Sequence, residues 1–150
     1  MKKFSINYLS SNFYEKYDKE VYKELILKEG RPFLVLLVQI ELNTFAIPFR
    51  SNIRHNNAYK FKNSTRRTES ITGLDFSKAV IVADNDIGDN ATINDKEYVE
   101  LASNFYIIEK NFNKFVKNYK RFITSPTVND VAYNKYRFCT LQYFHKQLGI

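Results

Sequence analysis

The feature that most restricts how this chain can fold is Phe33–Ile40, FLVLLVQI, followed almost at once by Phe45–Phe49, FAIPF. The first run is apolar at nearly every position, so neither of its faces suits water. It reads as a strand buried on both faces. The second run reads as a neighbouring strand. Leu42-Asn43-Thr44 suggests a hairpin between them, although Asn-Thr is a weaker turn signal than Asn-Gly. The pair ends in the polar cluster Arg50-Ser51-Asn52-Ile53-Arg54-His55-Asn56-Asn57. A rigid apolar scaffold thus presents guanidinium, hydroxyl, amide and imidazole groups side by side.

Around this pair the chain predicts an α+β domain. At 150 residues, a single domain spanning 1–150 is expected, long enough to bury a core. Phe4, Ile6 and Tyr8 alternate with Ser5 and Asn7, predicting a short strand. Ser10 and Ser11 can cap a helix over about 12–28, stopped by Gly30 and Pro32. Residues 50–70 hold almost no aliphatic side chains and read as a long, partly ordered polar loop. A buried strand is expected over Ala79–Ala83, then a turn over Asp84–Asn90. Asn94 and Glu97 make a capping-box pattern. After it, Phe105, Ile108, Phe112, Phe115, Tyr119 and Phe122 recur at spacings of three and four, so a long helix with one apolar face is expected, ending at Ser125-Pro126. A last helix over about 129–147 is predicted, with Tyr133, Tyr136, Thr140, Tyr143 and Phe144 leaning inward and Gly149 near its C-cap. The C-terminal half therefore reads as helical.

The charge pattern suggests a polyanionic partner. The formal net charge is +7, which favours nucleic acid or an anionic surface but says nothing about fold. From Leu42 to Thr68 there is no Asp or Glu, while the window carries Arg50, Arg54, Lys60, Lys62, Arg66 and Arg67. Such cations repel one another unless solvated or bound to phosphate. A second basic stripe, Lys110, Lys114, Lys117 and Arg121, shares one helix face, with no acid between Glu109 and Asp130. Either patch also reads as an ordinary solvated face. Tyr59 and other aromatics could stack on bases, although most Phe should be core.

Cleavage of RNA without a metal needs three things: a proton taken from the 2′-hydroxyl, a proton given to the leaving 5′-oxygen, and charge stabilised on the phosphorus oxygens. His carries protons near neutral pH, and Arg or Lys supplies fixed positive charge. Ser and Asn can donate hydrogen bonds to the phosphate. Arg50, Ser51, Asn52, Arg54, His55 and Asn56 supply all of these groups, although no spacing rule makes them unique to the task. No metal or other cofactor is called for. Asp84, Asp86 and Asp89 resemble the start of a calcium loop, but the glycine comes one position early, so the segment reads as a turn. The single cysteine, Cys139, excludes a disulfide within the chain. The N-terminus has no apolar signal-peptide core, and no run approaches the roughly 20 residues of a membrane span. A cytoplasmic location without membrane contact is expected.

The order of these features resembles the toxin component of type III toxin–antitoxin systems, the ToxN/AbiQ-like endoribonucleases, and most closely their TenpN or CptN branch. The matching core is Arg31-Pro32-Phe33 leading a strand, then Phe45-Ala46-Ile47-Pro48-Phe49, then Arg50-Ser51-Asn52-Ile53-Arg54-His55. ToxN-like members have a basic residue before the strand, an aromatic-x-Ala-Pro-Leu strand, then Thr-Ser-Pro-Lys-Lys. Gly73-Leu74-Asp75-Phe76 also looks similar, as does the helical C-terminal half. The resemblance covers most of the chain by order of elements, and residues 31–55 by identity.

It implies a compact, strongly curved antiparallel sheet or barrel-like core of the Kid/MazF type with surrounding helices. It also implies metal-independent RNA cleavage leaving a 2′,3′-cyclic phosphate. The inhibitor would be a small repeated antitoxin RNA whose pseudoknots fill the basic groove, assembled with the toxin into a closed ring, and cellular RNA would be the substrate. Ser51 matches the family's serine, and Arg31 its lysine before the strand. Arg50 stands where ToxN has threonine. The lysine two residues after the serine aligns with Ile53, so its charge would come from Arg54. The family's N-terminal active-site tyrosine falls near Phe13 or Tyr14. The expected catalytic set is therefore Arg31, Arg50, Ser51, Arg54 and His55. Tyr14, Asn52, Asn56, Tyr59, Lys60, Lys62, Arg66, Arg67 and the Lys110–Arg121 stripe would contact RNA.

Two rivals keep the same charge. A non-catalytic RNA-binding module needs the groove and stacking rings but no proton carriers. A secreted or membrane-surface basic protein fits the buried strands less well.

Overall fold

A computed structural model of the chain describes residues 4–18, 20–25, 34–64, 71–125 and 130–150. Its centre is an antiparallel sheet. Strands β1 (Ser5–Leu9), β2 (Leu34–Ile40), β3 (Asn43–Arg50), β4 (Ala58–Lys60), β5 (Gly73–Asp75), β6 (Val80–Val82) and β7 (Ile87–Asn90) pair in the order β4-β5-β3-β2-β1-β7, and β6 also pairs with β3. The helices are α1 (Ser11–Lys16), α2 (Asp95–Thr124), α3 (Asp130–Tyr136) and α4 (His145–Leu148). The fold is thus α+β with a mostly helical C-terminal half, as the sequence predicts.

The predicted hairpin is the sheet's spine. Ile40 pairs with Asn43, so the turn is Glu41-Leu42 rather than Leu42-Asn43-Thr44. Glu41 takes the left-handed conformation (φ 55°) that such a short connection requires. Along its other edge β3 is paired twice by one antiparallel return of the chain, with β6 at Thr44–Ala46 and with β5 at Phe49–Arg50. Between these stretches the register slips, and a 3-10 turn at Phe76–Lys78 is extruded opposite Ile47-Pro48. Pro48 has no N–H to donate to a ladder, so this is where the pairing breaks at least cost. The extruded turn matters for the site below.

Helix α2 closes the core. Asn94 caps it, its side-chain oxygen accepting from the backbone N–H groups of Lys96 and Glu97. Phe105, Ile108, Phe112, Phe115 and Tyr119 are buried, and the Phe112 ring meets Phe45 of β3 and Phe76 of the extruded turn edge-on. Full burial of such a side chain contributes about 2–3 kcal/mol.

Several expectations are corrected. The helix expected over 12–28 ends at Lys16, and turns follow through Leu25. Its predicted end at 26–28, with Gly30, Pro32 and Phe33, lies outside the described residues. Ser10 is the N-cap residue, yet its hydroxyl bonds the Asn85 carbonyl instead of the helix. In β1 Asn7 is buried and Tyr8 exposed, because Asn7 bonds Gly88 and Asn90 across the sheet. The turn expected over Asp84–Asn90 yields strand β7, held against β1. The polar loop contains strand β4. The last helix is three pieces: α3, a 3-10 turn at Thr140–Tyr143, and α4. Thr140 breaks it by donating its hydroxyl to the carbonyls of Ser77 and Ala79. Tyr133 points outward, while Tyr136 and Phe144 are buried. Gly149 caps α4 with φ 75°.

Candidate functional site

Arg50 ends β3, opposite Gly73 of β5. Two residues further along β5, Asp75 is 0% exposed, and its side chain is the hub of the site. Oδ2 takes the Arg50 guanidinium (Nη1, 2.9 Å) and faces His55 Nε2 at 3.2 Å. Oδ1 accepts from the backbone N–H of Ser77 at 3.0 Å and from its hydroxyl at 2.6 Å, capping the extruded turn. A buried carboxylate is tolerable only when paired and hydrogen-bonded, and Asp75 meets both conditions. The Arg50 and His55 side chains are 37% and 40% exposed, so each reaches from the buried anchor to the surface.

The chain from Ser51 to Asn57 folds over this hub. Asn52 takes the left-handed conformation (φ 57°), which Asn tolerates better than most residues. Ile53 is buried and donates its N–H to the Ile71 carbonyl at 3.0 Å, pinning the turn. The Asn57 N–H donates to His55 Nδ1 at 3.1 Å, and the Asn57 carbonyl accepts from Phe76. The neutral His55 ring therefore carries its proton on Nε2, towards Asp75. Both ring nitrogens are engaged. Ser51, Asn52 and Arg54 lie exposed on the same turn and make no side-chain hydrogen bond or ion pair among the described residues. Arg50 spends one Nη1 contact on Asp75, which leaves further guanidinium donors for an anion.

Helix α2 holds the next segment. Buried Glu100 accepts from the backbone N–H groups of Lys62 (2.9 Å) and Asn63 (2.8 Å) and from the Tyr59 hydroxyl (2.7 Å). Burial, reinforced by the Glu100 bond, pushes the Tyr59 phenol up to about 12. Tyr59 packs edge-on to Phe61. Glu97, the acid of the predicted capping box, accepts from the hydroxyls of Ser64 and Thr72. Gly73 lets β4 approach β5: a Cβ there would stand 2.0 Å from the Tyr59 carbonyl oxygen. Exposed Asn56 accepts from Lys60 (3.4 Å), and Lys62 points outward.

The structure thus brings Arg50 and His55 together and sets Ser51, Asn52, Arg54, Asn56, Lys60 and Lys62 around them. Arg31, Arg66 and Arg67 lie outside the described residues. Tyr14 is half-buried on α1 beside Phe13, and α1 is bonded to the 84–86 turn that leads into β7, at the sheet edge opposite β4. The Lys110–Arg121 stripe is exposed along α2. Lys110 and Lys117 line a cleft of about 470 Å³ with Gln39, Ile40 and Glu41 at the hairpin turn. Asn43 and Arg50 are the two ends of β3, roughly 24 Å apart.

Two residues of the cluster escaped the sequence analysis. Asp75 carried a signal, a lone acid between apolar Leu74 and Phe76. Lys78 carried none. Its ammonium donates to the carbonyls of Glu24 (2.9 Å) and Phe138 (3.0 Å), and burial lowers its pKa, with Asp75 opposing and Arg50 adding to the shift. No group of His, Cys, Asp and Glu able to hold a metal ion occurs among the described residues, where no helix is long and apolar enough to cross a membrane either. Comparison with family models, curated proteins and solved structures gives no match to this chain.

Proposed function

We propose that this chain is an endoribonuclease toxin of the type III toxin–antitoxin class, working in the cytoplasm. It would cleave cellular RNA without a metal to leave a 2′,3′-cyclic phosphate, and a repeated pseudoknot RNA would inhibit it within a closed toxin–RNA assembly. The core would be a curved sheet of the Kid/MazF type. The observation that carries the reading is an exposed turn of Arg50, Ser51, Asn52, Arg54 and His55 anchored on one buried carboxylate, Asp75. Such anchoring fixes a cation before substrate arrives, which is what stabilisation of a transition-state phosphate needs.

In this mechanism Ser51 and Asn52 donate to the phosphate, and Arg50 and Arg54 stabilise the charge that develops on its oxygens. His55 turns out of its contacts with Asp75 and Asn57 and takes the 2′-hydroxyl proton, and the departing 5′-oxygen takes a proton from solvent water. Arg31 assists from the approach to β2. Lys60, Lys62, Arg66 and Arg67 follow the backbone away from the cut, and the Lys110–Arg121 stripe binds a separate stretch of RNA. A second reading, a non-catalytic RNA-binding module, is favoured by one observation: both His55 nitrogens are already engaged.

Inducing the gene alone in bacteria and mapping cellular RNA ends separates the two. Growth arrest with new cuts at a recurrent short sequence, lost in Arg50→Ala, Ser51→Ala, Arg54→Ala and His55→Ala, is the expected result. Intact RNA from a folded, expressed chain would leave the binding module. Tandem repeats upstream of the gene would support the antitoxin RNA.

A further inference from the structure

At the end of α3 the surface carries two aromatic rings with a guanidinium against both. The Arg137 guanidinium carbon lies 4.5 Å from the centre of the Phe138 ring and 5.9 Å from that of Tyr133. Tyr133 is 51% exposed and Phe138 57%. Neither ring serves the core, because α3 docks through Tyr136, which is buried against Phe115, Tyr119 and Phe122. Arg137 has no carboxylate partner among the described residues. Two large rings are therefore kept in water beside an unneutralised cation.

Their position links them to the candidate site. The Phe138 carbonyl accepts from Lys78, and the Thr140 hydroxyl from the next turn donates to the Ser77 carbonyl at 3.2 Å. Ser77 in turn caps onto Asp75, which holds Arg50 and His55. The aromatic pair is thus anchored to the same extruded turn as the polar cluster.

Exposed π faces with fixed positive charge suit one ligand chemistry: unpaired nucleobases on a phosphate backbone. Bases stack on the rings and on the planar guanidinium, and the charge attracts the phosphates. A duplex, with its bases already stacked, offers no such faces. We propose that Tyr133, Arg137 and Phe138 form a stacking site for unpaired bases of a single RNA strand whose backbone continues to Arg50 and Arg54. The proposal rests on the RNA-directed reading above and adds to it a preference for single-stranded substrate.

The chain has no tryptophan, so Phe138→Trp places a single, selectively excited tryptophan in the platform. The probe is a short 2′-O-methylated oligouridylate, which lacks the free hydroxyl that cleavage by transesterification needs. Its single-stranded form should quench Phe138→Trp, and the same strand annealed to its complement should not. Leu42→Trp, at the distant hairpin turn, should stay unquenched. Phe138→Ala and Tyr133→Ala should each weaken binding about tenfold, and Phe138→Trp should bind like the parent. Parent-like binding by both alanine variants, or equal quenching by the duplex, overturns the platform and leaves these rings to a protein partner. The two readings fail separately. Binding lost in the alanine variants of a chain that cuts no RNA upholds the platform and removes the ribonuclease. Cleavage with binding unchanged does the reverse.

Discussion

Removing the Asp75 carboxylate tests whether one buried acid organises the turn. Asp75→Ala deletes the contacts to Arg50 and His55 and the cap on the Ser77 N–H. Severing a wholly buried pair costs about 3–5 kcal/mol. Here both partners, the Arg50 guanidinium and the His55 ring, reach solvent (37% and 40% exposed) and can rehydrate, so each lost contact is worth about 1 kcal/mol. The lost cap adds about 1 kcal/mol. The total is about 3 kcal/mol, or a melting temperature lower by roughly 9 °C for a chain of this size. Asp75→Asn keeps an acceptor for Ser77 but turns an amide towards the guanidinium, so about 2 kcal/mol is expected. The assay is thermal and urea unfolding followed by circular dichroism, with Arg50→Ala made alone and in the Asp75→Ala background. A coupling of about 1–1.5 kcal/mol between the two positions is expected. Coupling within about 0.3 kcal/mol of zero, with Asp75→Ala costing under about 1 kcal/mol, would refute the hub.

Glu100→Ala strips the acceptor from two backbone N–H groups and the Tyr59 hydroxyl, so a loss of about 3 kcal/mol is expected. Hydrogen exchange should report it first at the Lys62 and Asn63 amides. Gly73→Ala drives a Cβ into the Tyr59 carbonyl oxygen, and backbone is the neighbour that must yield. A loss of at least about 2 kcal/mol is expected, with exchange protection falling in β4 while α2 is spared. At alkaline pH, burial has raised the Cys139 thiol from 9.0, and the Tyr59 phenol from 10.0, each to about 12. Both folded values exceed the unfolded ones. Their contribution is therefore complete below about pH 9 and is lost as pH climbs towards 12, because the unfolded chain ionises first. Urea midpoints should fall across that window. The Cys139 thiol should react with a disulfide reagent only at the rate at which the core opens, and prompt labelling of the folded chain would contradict its burial.

How much of this was legible in the sequence depends on how far apart the interacting residues lie. Helix α2 announced itself through Phe105, Ile108, Phe112, Phe115 and Tyr119, because the 3.6-residue period belongs to one element and repeats within it. The hairpin was legible for the same local reason, although its turn fell one residue early at Glu41-Leu42. The helix expected over 129–147 failed where a distant group competed. Thr140 finds acceptors at Ser77 and Ala79, more than sixty positions away in the chain, and this breaks the segment. Likewise the local pattern around Asn94 and Glu97 gave no sign that the Glu97 carboxylate also meets the hydroxyls of Ser64 and Thr72, 33 and 25 positions away in the chain.

The candidate site divides along the same line. Arg50, Ser51, Asn52, Arg54 and His55 are contiguous, so their shared chemistry could be read directly from the order of residues. That Arg50 and His55 converge on Asp75 could not, since Asp75 lies 25 and 20 positions further on. Their meeting depends on the register of β3 against β5 and on the turn extruded where Pro48 has no N–H to offer. The same geometry sets Lys110 and Lys117 beside the hairpin turn, at the other end of β3 from Arg50, although both patches looked alike as runs of charge. Local order determines which groups are available and which elements form. Only the packing of strands and helices decides which groups are desolvated together, and desolvation is what gives a lone carboxylate such as Asp75 its hold on the Arg50 guanidinium and the His55 ring.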